Sequence, residues 1–342
     1  MKTCSIQILA VLLLLSLQSK AQHRIGPVAR KVPLIELKGN GYERGLQHGT
    51  LLKKEISEVY AKWKANICKD TKRDADSVNR EFLATTTFPS IIQQWTPDLW
   101  QELKGISDGS GQPFEDVLAF QLVDEYWGYL DRIANIQKEH CSAIGMAATK
   151  ERPAYVAQNI DLDTYMHGYQ VLLHLAPTAT TPEQYLVACA GQLGFAGMNS
   201  KGVGVVVNAL LDLKNSVDGL PVAFIIREML NKEKAADILS FLQIVKHASG
   251  QNYLIGVRDS VYDYEASANQ VVRFLPEQNS GLVYHTNHSL VNHDVKPWFE
   301  AYHQRVLAGN SQKGNSETRY AALQLRLSAP FEELSATTIK QT

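Results

Sequence analysis

Cys141 opens the run "CSAIGM", and twenty residues further on "QNIDLD" supplies Asp161 and Asp163. Two asparagines then sit inside apolar runs, Asn208 in "VVVNAL" and Asn287 in "YHTNH". A thiol, a carboxylate and two amides suffice for acyl transfer if the peptide bond between His140 and Cys141 is cut. Cys141 then carries both a thiol and a free α-amine. Such an amine titrates near ~7.7–8.0, so it can act as general base for its own side chain. Nucleophile and base come from one residue, and no partner histidine is needed. The thiol can make the cut itself, attacking the His140 carbonyl to form a thioester that water releases.

A site of this kind also needs an acceptor for the α-amine and donors for the tetrahedral oxyanion. One such donor is worth ~2.7–4 kcal/mol. Asp161 and Asp163 share a strand face, because side chains two apart point the same way. A hairpin between the two segments brings a carboxylate to Cys141. Asn208 and Asn287 lie where an unpartnered amide is costly, so each is either hydrogen-bonded or part of a site.

The surrounding elements follow from periodicity. Leu46, Leu52, Ile56, Val59, Trp63 and Ile67 recur at helical spacing and predict a helix from Glu43 to Ile67. "TPDLWQELKGISDGSG" predicts a helix capped at Thr96 and ending near Gly109, and a further helix is expected over Asp116–Ile136. After Cys141 the texture changes to short β-branched or alternating runs, from "AYVAQNIDL" to "GLVYHTNH", with a hairpin turn at Met198–Gly202. Helices return at "PVAFIIREMLNKEKAADILSF" and from Trp298 onward. Helices first, then antiparallel strands with interleaved helices, predict one α+β unit of packed layers.

Composition narrows the class. The chain has 342 residues, 45% hydrophobic and 20% charged, with a formal net charge of −1. Without a basic block, nucleic acid is not an expected partner. The start, "MKTCSIQILAVLLLLSLQSKAQ", has Lys2, an apolar stretch of about twelve residues and small residues before Ala21. This is the pattern of a cleaved signal peptide, residues 1–21, and the stretch is short for a membrane span. The expected mature protein is secreted or periplasmic, with no integral membrane segment. Removal of Cys4 leaves Cys68, Cys141 and Cys189, an odd number in an oxidising compartment, so at least one thiol is free or paired to another chain. A Cys68–Cys189 bridge is compatible with that count.

Six blocks in order resemble a known family, the isopenicillin N acyltransferase-like, self-processing N-terminal nucleophile hydrolases, relatives of choloylglycine hydrolase, penicillin V acylase and acid ceramidase. They are "GNGYERGLQHGTLLKKEI", "ELKGISDGSG", "CSAIG…VAQNIDLD", "GFAGMNSKGVGVVVNAL", "GLVYHTNHSL" and "NSETRYAAL". The resemblance implies a four-layer αββα sandwich, with a helical pro-segment over residues 22–140 and a catalytic fragment over 141–342. It implies Cys141 as nucleophile and Asp161 as the group holding its α-amine. Asn208 and Asn287 would form the oxyanion hole, Asn287 through its side-chain amide, with Arg319 as a charged support. The implied substrate is a small N-acyl amide, and the chemistry requires no cofactor. Two positions depart from the family pattern. His140 stands where the acyltransferase has glycine, and Gln158 stands where the bile-salt and ceramide branches carry arginine.

Other readings compete. His285, His288 and His293 are close in sequence and imidazoles bind Zn²⁺, but positions 285 and 288 of a strand face opposite ways, so no metal site is expected. A papain-like Cys-His-Asn site lacks its local signature and the helix that the cysteine should open. A non-catalytic secreted binding protein of the same fold is the alternative, and it predicts an uncut chain.

Overall fold

Asn40 starts the first helix. Its side chain accepts the Glu43 N–H while the Glu43 carboxylate accepts the Asn40 N–H, a capping box. The computed structural model describes residues 31–134, 141–276, 281–309 and 314–341. The expected signal peptide and His140 lie outside the described residues. Helix α1 spans Gly41–Leu51 and α2 spans Lys53–Thr71, where one helix was expected. The break at Leu52 follows from their different partners. Helix α2 lays Ile56, Val59, Trp63 and Ile67 into the main core, whereas α1 lies backbone to backbone on a later helix.

That later helix is α5 (Pro97–Ser110), reached through α3 (Ala75–Ala84) and α4 (Phe88–Trp95). Glycines make the contact between α1 and α5. A methyl group on Gly45 would sit 1.9 Å from the Glu102 carbonyl, and one on Gly105 would sit 2.2 Å from that of Tyr42. The two glycine-bearing blocks of the sequence are therefore the two halves of one helix crossing. Beside it the buried Glu102 carboxylate receives Arg44 at 2.9 Å and Arg227 at 2.9 and 3.0 Å. Burial pushes the Glu102 carboxyl up, but the two guanidiniums outweigh it and hold it down at about 2.

Helices α6 (Phe114–Gln121) and α7 (Val123–Ala134), with a turn at Leu122, stand where a single helix was expected over Asp116–Ile136, whose last two residues lie outside the described ones. Later come α8 (Val222–Leu230), α9 (Ala235–Ile244), α10 (Pro297–Leu307), α11 (Asn315–Arg326) and α12 (Ala336–Gln341).

Eleven strands are described: β1 Leu34–Leu37, β2 Cys141–Met146, β3 Tyr155–Ile160, β4 Gln170–Leu175, β5 Gln184–Cys189, β6 Ala196–Asn199, β7 Val203–Ala209, β8 Gln251–Val257, β9 Ser260–Ala266, β10 Val271–Phe274 and β11 Leu282–His285. Eight form one sheet in the order β1-β4-β5-β6-β7-β8-β9-β10, and three form a second, β11-β2-β3. Every pairing is antiparallel except β1 with β4. The strand alternation tells which way each residue faces. Ala143 of β2 and Val283 of β11 meet Val206 and Leu254 of the large sheet. Ile144 and Met146 face the other way, onto Leu323 of α11 and onto Leu327 and Leu334 beyond it. Gly145 is needed at this interface, because a methyl group there would lie 2.6 Å from Leu254. Cys141 shares the parity of Ala143 and so belongs to the side facing the large sheet. Ser142 belongs to the α11 side.

Cys68, Cys141 and Cys189 are all free thiols, so the Cys68–Cys189 bridge that the cysteine count allowed is not formed. Cys68 is exposed on α2 while Cys189 is buried at the end of β5. No helix among the described residues is long and apolar enough to cross a membrane.

Candidate active site

Cys141 is the first residue of β2 and is gripped at both ends of its backbone. Its N–H donates to Asn287 Oδ1 at 2.7 Å. Its carbonyl accepts from Arg319 Nη1, which also reaches Ser142 Oγ at 3.0 Å. Arg319 Nη2 donates to the same Asn287 oxygen at 2.9 Å, and its Nε to Asn315 Oδ1 at 2.6 Å. A guanidinium suits this task because its donors leave one plane at fixed angles. Residues 141, 287 and 319, far apart in sequence, thus meet at one point.

The thiol itself is partly buried and is pushed up to about 11. Burial is the main cause, and the charge of Asp124 comes next. The Asp161 N–H, which bonds to the sulfur, and the charge of Arg319 act the other way. An ordinary approach of hydroxide or a distant base therefore finds this thiol protonated at neutral pH.

The two amides take different places from each other. Asn287 donates Nδ2 to the Ala209 carbonyl at 2.9 Å, which leaves the second hydrogen of that nitrogen. Its backbone N–H is fixed by Ser316 Oγ at 2.7 Å. Asn208 is fully buried, and its Nδ2 donates to both the His285 and the Thr286 carbonyls at 3.0 Å. Both hydrogens of that amide are engaged, so the side chain of Asn208 supports the turn that carries Asn287 and offers no donor to an oxyanion.

Asp161 does not lie on the strand face expected for it. Strand β3 ends at Ile160, which pairs with Cys141, so Asp161 lies just past the strand and its side chain is exposed. In this chain the acceptor for the Cys141 nitrogen is Asn287, while Asp161 offers its backbone N–H to the sulfur. Asp163 precedes a short 3-10 turn and accepts from Trp127 Nε1 at 3.4 Å. Gln158 donates to the Val207 carbonyl and so ties β3 to the large sheet.

The histidines near Asn287 are engaged in its support. His285 Nε2 meets Glu265 at 2.8 Å and Nδ1 donates to the Thr286 carbonyl at 2.8 Å. Burial pulls its pKa down, but Glu265 and Asp263 outweigh this and raise it to about 8. His288 Nδ1 lies 2.8 Å from Ser316 Oγ, and burial with the neighbouring His285 charge lowers it to about 4. Among the described residues no group of three His, Cys, Asp or Glu side chains is arranged to hold a metal ion.

Sequence reasoning missed Ser316 and Asp124. Ser316 sat within the quoted "NSETRYAAL" block, three residues before Arg319. The signal for Asp124 was a pair of carboxylates, Asp124-Glu125, in the otherwise apolar "LAFQLVDEYWGYL". A cavity of about 580 Å³ opens beside the site, lined by Asn287, His288 and Arg319 on one wall and by Trp298, Phe299 and Tyr302 of α10 on another.

The sequence model of the family described as acyl-coenzyme A:6-aminopenicillanic acid acyl-transferase matches residues 147–339. The chain belongs to this acyltransferase family. The matched segment contains Asp161, Asn208, Asn287 and Arg319 and begins six residues after Cys141. Among curated proteins, the chain is similar to protein dcd1A of Dictyostelium discoideum, 24% identical over 249 residues, which are 63% of this chain and 53% of that protein. Protein dcd1B of the same organism is 24% identical over 236 residues, 62% of this chain and 45% of that protein. The 40 kDa form of the acyl-coenzyme A:6-aminopenicillanic-acid acyltransferase of Emericella nidulans is 23% identical over 266 residues, 76% of this chain and 70% of that protein. The chain spans about half the length of the two dcd1 relatives.

Proposed function

We propose that this acyltransferase-family chain is a cysteine N-terminal nucleophile enzyme, an acyltransferase or amidohydrolase acting on a small N-acyl amide. It is exported behind a signal peptide cleaved after Ala21 and is cut between His140 and Cys141. The helical segment 22–140 and the catalytic segment 141–342 stay together in an αββα fold of four layers. The stacking of the small sheet between the large sheet and α11 supports that architecture.

One observation carries the reading. Cys141 stands at the head of a strand with its nitrogen on Asn287 and its carbonyl on Arg319, two groups far away in sequence. A thiol that merely filled the core would need no such hold on its backbone. Once cut, the α-amine lies beside Asn287 Oδ1 and within the field of Asp161 and takes the thiol proton. Sulfur attacks the substrate carbonyl, and the remaining hydrogen of Asn287 Nδ2 faces the oxyanion. The α-ammonium gives its proton to the leaving amine. The acyl group then passes to water or to an amine, with the adjacent cavity holding the acyl chain.

Intact-mass spectrometry of the purified protein beside a Cys141→Ala variant tests this. The expected result is two fragments with a new N-terminus at Cys141 in the wild type and one uncut chain in the variant. A wild type that stays whole on long incubation refutes self-processing and leaves a binding protein of this fold.

A further inference from the structure

Glu265, near the end of β9, is sealed from solvent and accepts four hydrogen bonds. Its Oε1 takes His285 Nε2 at 2.8 Å and the Leu290 N–H at 2.6 Å. Its Oε2 takes the Val291 N–H at 3.1 Å and the Asn292 N–H at 2.7 Å. A carboxylate has about four acceptor positions, so none is left to carry a proton, and the geometry itself requires Glu265 to be ionised. The state of the His285 ring follows from this. Nε2 faces that carboxylate, and Nδ1 faces the Thr286 carbonyl at 2.8 Å. Both partners can only accept, so both ring nitrogens donate, and a histidine that donates twice is an imidazolium.

This buried ion pair brackets Asn287. The Thr286–Asn287 peptide is one rigid plane. Its carbonyl is held by His285 Nδ1 at 2.8 Å and by Asn208 Nδ2 at 3.0 Å, and its N–H by Ser316 Oγ at 2.7 Å. On the far side of Asn287, the N–H groups of Leu290, Val291 and Asn292 all end on Glu265. The side chain that leaves this fixed plane puts Oδ1 on the Cys141 nitrogen and Nδ2 on the Ala209 carbonyl. A neutral ring would have one proton for two acceptors, so either Glu265 or the Thr286 carbonyl would face a lone pair at hydrogen-bond distance. His285 and Glu265 are both closed to solvent, and an acceptor that loses its donor there is not rescued by bulk water.

We propose that His285 is a positioning residue for Asn287: its doubly protonated ring, held on Glu265, sets the Thr286–Asn287 peptide and through it the aim of Asn287 at Cys141. Its kinetic consequence rests on the self-processing reading above. His285 is buried and lies off the wall of the large cavity, so it acts through Asn287 and not on a substrate.

The charged and titratable groups packed around the pair come from several elements. Asp263 and Glu265 stand on β9, Cys141 on β2, Asp212 just after β7, His288 on the same loop, and Glu317, Arg319 and Tyr320 on α11. Burial pulls the ring toward its neutral form, but Glu265 and Asp263 outweigh it and raise its pKa to about 8. The imidazolium is therefore present at neutral pH and is lost as pH rises through about 8. His288, which burial and the His285 charge lower to about 4, stays neutral across this range and adds no step of its own.

The first readout is a ratio of self-cleavage rates, wild type over His285→Gln, followed by intact mass after refolding at a series of pH values. Both chains cut through the same Cys141 thiol, so its own pH dependence cancels in the ratio. The glutamine amide can still reach Glu265 but leaves the Thr286 carbonyl without its second donor. Misplacing a catalytic group by about 1 Å can cost about 10² in rate, so the ratio should be about 10–10² at pH 7. It should shrink about tenfold between pH 7 and pH 9, as the wild type loses its imidazolium. A ring that only fills space gives a ratio independent of pH, and that result overturns the proposal. The second readout needs no His285 variant. Nitrogen NMR of histidine-labelled His174→Gln, Cys141→Ala chain reports rings protonated on both nitrogens; His174→Gln removes the other ring whose two nitrogens both meet carboxylates. One ring should stay mainly doubly protonated at pH 7 and titrate near pH 8, and finding none also overturns the proposal. A wild type that is never cut refutes the self-processing reading, and the kinetic role of His285 falls with it. A Cys141-dependent cut with a constant ratio refutes the role of His285 alone.

Discussion

Asn287→Asp isolates the proposed oxyanion donor with little change of shape. The aspartate keeps an oxygen where Oδ1 accepts the Cys141 N–H and Arg319 Nη2. It loses Nδ2, and with it both the bond to the Ala209 carbonyl and the hydrogen left for the reaction. Removing one oxyanion donor costs ~2.7–4 kcal/mol of transition-state stabilisation, which is about 10²–10³ in rate. The lost Ala209 bond acts on stability instead, at about 1–3 kcal/mol, because that buried carbonyl is left unpaired. The two effects separate in one experiment. Freshly refolded wild type, Asn287→Asp and Asn287→Ala are followed by intact mass over hours, with urea unfolding of each in a Cys141→Ala background. Asn287→Asp should be folded and cut about 10²–10³ more slowly, and Asn287→Ala, which also lets go of the Cys141 nitrogen, more slowly still. Cutting by folded Asn287→Asp within a factor of about three of wild type refutes the assignment of Nδ2 as a donor.

Arg319→Lys should slow self-cleavage by at least about tenfold without unfolding the chain. One ammonium cannot replace a fork that reaches Cys141, Ser142, Asn287 and Asn315, and each charged hydrogen bond is worth roughly 1.5–3 kcal/mol; equal processing rates speak against the fork. Glu102→Gln, made in the uncut Cys141→Ala background, should lose about 3–5 kcal/mol in urea unfolding because Arg44 and Arg227 are left buried without their counter-charge. The Glu102 carboxyl is depressed in the fold, so its contribution is present above the ordinary carboxylate range. It is lost as pH falls from about 4.5 through about 2, and the Gln variant should lack that part of the acid transition.

Local pattern carried much of this protein. Alternation and turn residues marked β3, β4 and β7 to β10 within a residue or two, because a half-buried strand writes its two faces into the chain at a period of two, whereas the single run "QYLVACAGQLGFAGMN" holds both β5 and β6. The glycine-bearing blocks around Gly45 and Gly105 were legible as motifs, though their meaning, two helix backbones in contact, was not. The helix breaks at Leu52 and Leu122 escaped periodicity: Leu46 kept the apolar spacing running although α1 buries glycines, Arg44 and His48, and α6 and α7 both carry buried apolar residues on either side of Leu122.

At the site, residue type singled out Cys141, Asp161, Asn208, Asn287 and Arg319, and order along the chain joined them to a family. Which atom does what was decided in three dimensions. Asn208 spends both amide hydrogens on the turn before Asn287, and Asn287 accepts from the Cys141 nitrogen. Asp124, on helix α7, brings its charge to bear on Cys141 of β2. Hydrogen bonds reach only a few ångströms, so the donor that fills an acceptor depends on which distant segments the fold brings side by side. Sequence spacing sets the inventory of groups, and only the stacked sheets and the helices against them determine the pairs.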